Sequence, residues 1–174
     1  MIRAITRLAI VGFVAGWIVD RVMRAIAVAP PAPVESLIVI EAPIERVWSV
    51  VADIEGQPRW MTDMKSVRLT TRGRVGVGTR GEATVRMYGV SVTDPITITE
   101  FRPPTRFAIR HEGIFGGTGL ITLEPGADGS TTIVRWEERL TPPLFPHLGA
   151  SVMAPMLGRI FQADLERLRR LIEV

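Results

Sequence analysis

The chain has no cysteine, one lysine, one tyrosine and two histidines in 174 residues. Without cysteine there is no disulfide and no thiolate metal ligand, and the redox compartment cannot be read. His111 and His147 alone are too few to build a structural zinc site. Lys65 is the only lysine, so nearly all basic residues are arginine, which reflects composition bias rather than a binding signal. Tyr88 is the only tyrosine, which leaves little for an exposed aromatic patch of the kind that marks protein interfaces. Rossmann and G-x-S-x-G patterns are absent. The glycine-rich run Gly73–Gly78 lacks the lysine, the hydroxyl residue and the following helix of a phosphate loop, so it reads as a turn.

Charge of one sign is also missing from most of the chain. The formal net charge is +3, and residues 1–33 supply it, with Arg3, Arg7, Arg21 and Arg24 against Asp20. The other 17 basic residues balance the other 17 acidic ones. A domain that binds nucleic acid carries a basic stripe, and a neutral one argues against that partner.

What is present begins with an apolar run of 12 residues, Leu8–Val19, flanked by the four arginines. It falls short of the roughly 17–25 residues that cross a bilayer. Even so, a helix from Arg3 to Arg21 covers about 27 Å, and arginine stems can snorkel to both interfaces. Residues 1–29 are therefore expected to form a membrane-associated helix, either a short single anchor that spans or a helix lying in the interface. A cleaved signal peptide ending near Ala25–Ala27 ranks behind these, because charges intrude before the small residues. Gly12 and Gly16 form a G-x-x-x-G pair, a weak mark of helix pairing. A cytoplasmic location is the alternative to membrane association, and no oligomeric state can be read.

A proline-rich linker, 30–33, separates this helix from a domain over 34–174. Leu37–Ile40 reads as a strand stopped by Ala42-Pro43. Ile44, Val47, Trp48, Val51 and Ile54 then recur at helical spacing, with Trp48 expected between that helix and a sheet. Gln57–Met61 forms a second short segment. Strands are expected over 66–71, 79–88, 90–101, 106–114, 118–124 and 131–140. Pro95 suggests a sheet edge or bulge, and Asp128-Gly129 a hairpin. A long helix closes the chain over 151–172, with Pro155 in its first turn or kinking it.

The stretch SLIVIEAPIERVWSVVADIEGQPRWM, Ser36–Met61, resembles the START-like (helix-grip) superfamily, on its strand, A-P-x-x-x-V-W helix, acidic residue and P-x-W. The polyketide cyclase/dehydrase and lipid-transport branch is the nearest in kind. The resemblance covers about 34–174 and implies an α+β fold: a curved antiparallel sheet wrapped around a long C-terminal helix, here preceded by a separate apolar helix. It also implies a cavity for a hydrophobic small molecule between sheet and helix, and no cofactor. The fold hosts carriers, enzymes and partner-binding modules alike.

Strand parity selects the polar groups that face the C-terminal helix. His111 shares a face with Phe107 and Ile109, and Glu138 shares one with Val134, Trp136 and Leu140. A histidine and a carboxylate in an apolar pocket suit proton transfer, so His111 and Glu138 are the candidate acid and base of a cyclase or dehydratase. Each also has a purely structural use as a hydrogen-bonded core residue. The candidate apolar lining is Trp60, Met61, Met64, Met87, Phe107, Trp136, Met153, Met156 and Phe161. The leading expectation is binding of a lipid, quinone or polyketide-like molecule while tethered to a membrane. An enzyme using His111 and Glu138 is the alternative, and a partner-binding module comes third.

Overall fold

The computed structural model describes residues 2–26, 32–87 and 89–174, and of residues 2–4 and 87 the backbone alone. Expectations on Met1, residues 27–31, Tyr88 and the side chains of Arg3 and Met87 therefore lie outside the described residues.

Seven strands form one antiparallel sheet: β1 (Val34–Ile40), β2 (Met64–Leu69), β3 (Arg80–Met87), β4 (Val90–Arg102), β5 (Arg106–Glu112), β6 (Gly116–Pro125) and β7 (Thr132–Thr141). Their order is β1-β7-β6-β5-β4-β3-β2, so the first strand crosses to pair with the last and the rest is a meander. The alternation that sequence predicts appears in β1, where Ser36, Ile38 and Ile40 are buried while Leu37 and Val39 face outward. In β7 Thr132, Val134, Trp136 and Glu138 are buried in the same alternating way. Gly129, at φ 73°, closes the β6–β7 hairpin as its sequence anticipates. Pro95 pairs with Glu82 on β3, but the β4–β5 ladder starts only at Ile96, so the proline lies at a locally open edge where no donor is required.

Among the described residues three α-helices complete the fold, α1 (Ile2–Ile26), α2 (Ile44–Val51) and α3 (Pro146–Ile172), with a 3-10 helix at Ile54–Arg59. Helix α2 buries Ile44, Val47 and Val51. Trp48 lies between α2 and the sheet as expected, edge-on to Phe101 of β4 with ring centroids 5.3 Å apart, but it is half-buried rather than buried. Val47, which carries less bulk, takes the fully enclosed position. Helix α3 packs along β1 and β7 and buries Leu157, Leu165, Leu168 and Ile172.

The start of α3 also differs from the sequence reading, by five residues, so that Pro155 lies inside the helix. Pro146 occupies the first turn, where its missing N–H costs nothing. The acceptor that caps the helix comes from far away in sequence. Asp20 of α1 is buried, and its Oδ1 accepts the backbone N–H groups of His147 at 2.8 Å and Leu148 at 3.0 Å. Phe145 adopts a left-handed backbone, φ 53°, and its ring packs on Phe13 at 5.3 Å. Gly16 makes room for that ring, since a Cβ there would stand 3.3 Å from it. The G-x-x-x-G pair therefore seats an aromatic ring of the domain at Gly16.

The expected spanning anchor is corrected. No helix among the described residues is long and apolar enough to cross a membrane. The apolar run of α1 is short, with Arg7 before it and Asp20, Arg21 and Arg24 soon after it, so widening it over the described residues takes in charge.

Candidate functional site

The centre of the site is built by three adjacent strands. Register sets Ile109 of β5 opposite Gly119 of β6, and Gly119 opposite Glu138 of β7. One step along, His111 lies opposite Gly117, and Gly117 opposite Leu140. Strands β5 and β7 are not neighbours, and two strand spacings amount to about 10 Å. Because β6 offers only glycine at both intervening positions, the side chains of His111 and Glu138 meet over it, Nε2 to Oε1 at 2.8 Å. A Cβ on Gly119 would stand 2.6 Å from Glu138 Oε2. The glycine is thus the floor on which the carboxylate rests, as a strand glycine often marks close approach.

Both oxygens of Glu138 are engaged. Oε2 accepts the indole Nε1–H of Trp136 at 2.9 Å, and Oε1 faces His111. As a carboxylate Glu138 only accepts, so His111 presents Nε2–H to it. Glu138 is buried, while the His111 side chain retains 20% exposure. Burial acts most strongly on the His111 charge and opposes it. The hydrogen bond and charge of Glu138, with a further contribution from Asp94, outweigh burial and raise the His111 pKa above its ordinary value.

Around this polar chain stand two aromatic groups. Trp136 stacks on Phe161 of α3, with centroids 4.4 Å apart, and meets Trp60 edge-on at 5.9 Å. Farther along the sheet, Trp48, Phe101 and Phe107 form a second group. Trp60 is fully buried, and its Nε1 has no hydrogen-bond partner among the described residues. The segment that carries it is pinned to α3 by Asp164, whose Oδ1 accepts from Thr62 N at 2.9 Å and from Thr62 Oγ1 at 2.6 Å. Burial raises the Asp164 pKa despite these two bonds, which act the other way.

The structure thus brings His111, Glu138, Trp136, Trp60 and Phe161 together. Met61 is buried in the core beside Trp60 in sequence, and Met64 packs against that core from β2. Phe107 is buried, but in the second aromatic group. Met153 and Met156 are half-buried on the α3 turns that precede Phe161. His147 bonds through its backbone, its N–H to Asp20 and its carbonyl oxygen accepting from Ser151 Oγ. Sequence reasoning misses Gly119 and Asp164. The glycines of G-G-T-G at 116–119 are a signal for the first, since glycine inside a strand calls for a close approach. No local pattern marks Asp164, whose partner is 102 residues away.

Among the described residues no group of histidine and carboxylate side chains could hold a metal ion. Residues 31–173 match the polyketide cyclase/dehydrase and lipid transport family. The chain belongs to that family. No curated protein matches it. Among solved structures, the ZhuI aromatase/cyclase from a Streptomyces species is similar at TM-score 0.65 and 19% identity, over 81% of this chain and 93% of that one. A START superfamily protein from Mycobacterium smegmatis matches at TM-score 0.65 and 16% identity, over 82% and 98%. A protein of Thermus thermophilus matches at TM-score 0.64 and 22% identity, over 80% and 96%. At these identities the similarity establishes the helix-grip fold that this family member shares with them.

Proposed function

We propose that residues 34–174 of this family member bind a hydrophobic small molecule, such as a lipid, quinone or polyketide-like compound, between the sheet and α3, while α1 holds the protein at a membrane surface. One observation carries the reading. A short polar chain, His111–Glu138–Trp136, is fixed among Trp60, Trp136 and Phe161, with only its His111 end partly exposed. Apolar walls with a few fixed polar groups are how small-molecule sites are made. The candidate lining is Trp60, Met61, Met64, Trp136, Met156 and Phe161, with His111 orienting a polar group of the ligand.

The test is ligand affinity in variants, after native mass spectrometry of protein taken from its own membrane has named the ligand. His111→Ala should leave affinity within about tenfold, because burial of apolar area dominates. Trp136→Ala should cost more, since it removes a large wall and the partner of Phe161. Equal, negligible effects of both would refute the site.

The raised pKa of His111 favours a second reading, an enzyme of the cyclase or dehydratase type, because it brings a protonated imidazole toward neutral pH. Under that reading His111→Gln or Glu138→Gln preserves binding and lowers turnover by about a hundredfold or more. Unchanged turnover on a bound polyketide-like substrate would eliminate it.

A further inference from the structure

We propose that the end of the sheet that carries α1 is a single docking face for an anionic bilayer surface, and that it turns the His111 end of the site toward the lipid. The antiparallel order determines which turns share that end. They are the β3–β4 turn, the β5–β6 turn at 113–115, the β7–α3 connection at 142–145 and the connection into β2 at 60–63, together with the first turns of α3. All but the connection into β2 present a large apolar side chain to water: Val90 at 65% exposure, Ile114 at 59%, Leu144 at 61% and Val152 at 70%. The turns at the opposite end, 70–79, 103–105 and 126–131, present only Val77. Scattered exposed apolar residues need no explanation, but four gathered at a single end, where only the connection at 60–63 presents none, form a patch.

Helix α1 extends that patch. It meets the domain through Phe13, Gly16 and Asp20, at the start of α3. On another face Leu8, Val11, Ile18, Val22 and Ile26, spaced by three, four or seven residues in steps that fit helical turns, leave an apolar stripe exposed. Its exposed charges are all positive, because Arg7, Arg21 and Arg24 face water while its one acid, Asp20, is buried against α3. An apolar stripe edged by arginines is the build of a helix that lies in a lipid interface. The charge pattern also decides the occupant. A second copy would bring like charges together, whereas anionic headgroups complement them. His111 is the penultimate residue of β5, at this same end. A molecule leaving the bilayer would therefore meet the exposed end of the polar chain first. That last step rests on the ligand-binding reading; the docking face rests on topology, exposure and charge.

Co-sedimentation of the full chain with vesicles of phosphatidylcholine and phosphatidylserine tests the face. Binding should weaken as salt rises and be poorer on phosphatidylcholine alone. Ile114→Asp with Leu144→Asp should lower vesicle affinity by about tenfold or more, since both leave apolar lipid contact for charge. Both positions are exposed turn residues, so the thermal melt should not move; Ile114→Ser with Leu144→Ser gives a milder pair if it does. Wild-type vesicle binding by these variants would overturn the proposal, as would a full chain that stays off anionic vesicles at low salt. A dimer in buffer that Ile18→Asp with Val22→Asp dissolves, without vesicle binding by the parent, would assign the face to a second copy instead. Uptake of a dansylated fatty acid without vesicles is read separately. If it fails while the vesicle results hold, the ligand reading falls and the docking face stands.

Discussion

Replacing Gly119 by alanine tests how the site is assembled. A Cβ at this position would lie 2.6 Å from Glu138 Oε2, and ordinary van der Waals contact begins near 3.4 Å. The carboxylate must therefore retreat by roughly 0.8 Å, or β6 must bend away by as much. Glu138 has nowhere free to go, because its two oxygens are held by His111 at 2.8 Å and by Trp136 at 2.9 Å. Overpacking of this kind costs about 1–3 kcal/mol. Loss of a hydrogen bond to a charged group costs a similar about 1.5–3 kcal/mol. Alanine returns about 0.5–1 kcal/mol through reduced backbone entropy in the unfolded chain. The two losses are alternatives, so less the entropy gain the expected net loss is about 0.5–2.5 kcal/mol in urea melts. The more telling readout is the imidazole titration followed by NMR, which the two histidines of the chain make simple to assign. As Glu138 is displaced, burial is left to act on His111 with less opposition, so its pKa should fall. A variant with unchanged stability and an unchanged His111 titration would refute the claim that the bare β6 strand lets these two side chains meet.

Other expectations follow from the same contacts. Glu138→Gln should lower the His111 pKa and remove a pH slope: in the parent, the raised value means the pair's stabilisation is complete below about pH 6.5 and is lost as pH rises through the folded pKa, so denaturant melts from pH 5 to 9 should flatten in the variant. Asp164 is also raised, so the parent loses stability as pH climbs from its ordinary 3.8 through the folded value; Asp164→Asn, which keeps an acceptor for Thr62, should erase that slope in melts across the acid range. Asp20→Ala should cost about 0.5–2 kcal/mol, as for a lost helix cap, and should expose the junction of α1 and α3 to limited proteolysis; an unchanged digestion pattern would mean that Asp20 does not hold α1 in place.

How far the fold and the site are legible in the sequence depends on whether a contact leaves a local mark. Alternation along β1 and β7 names the buried face residue by residue, so parity alone puts Glu138 and Trp136 on one face. The same rule puts His111 beside Phe107 and Ile109. Parity says nothing about register between strands, and that is why the meeting of His111 and Glu138 over Gly119 is not legible. Helical spacing marks α2, but Val47 and Trp48 are adjacent and both apolar, so spacing alone does not decide which is enclosed. The start of α3 escapes sequence reasoning because its cap is Asp20, on another helix and 127 residues earlier than His147. Local capping rules look for an acceptor just before the first turn, and here that place is held by Phe145 without a side-chain bond.

The same geometry weighs binding against catalysis. A general base needs a lone pair that can reach the substrate proton. Glu138 is buried, seated on Gly119, and has a protein donor on each oxygen, so a substrate would have to displace Trp136 or His111 to reach it. The partly exposed group is the His111 ring, which Glu138 orients and whose pKa it raises. Any proton chemistry would therefore run through His111, with Glu138 as its positioning partner. A carrier needs less of the same pair: one fixed donor at the mouth of an apolar site. The two readings consequently diverge on Glu138→Gln. Binding depends little on a charge that the ligand does not touch, whereas turnover depends on the imidazole pKa that this charge raises. Titration of His111 alongside ligand affinity and turnover in this one variant separates them. A fall in the pKa with unchanged affinity is common to both readings, and only a parallel loss of turnover would make the histidine a catalyst.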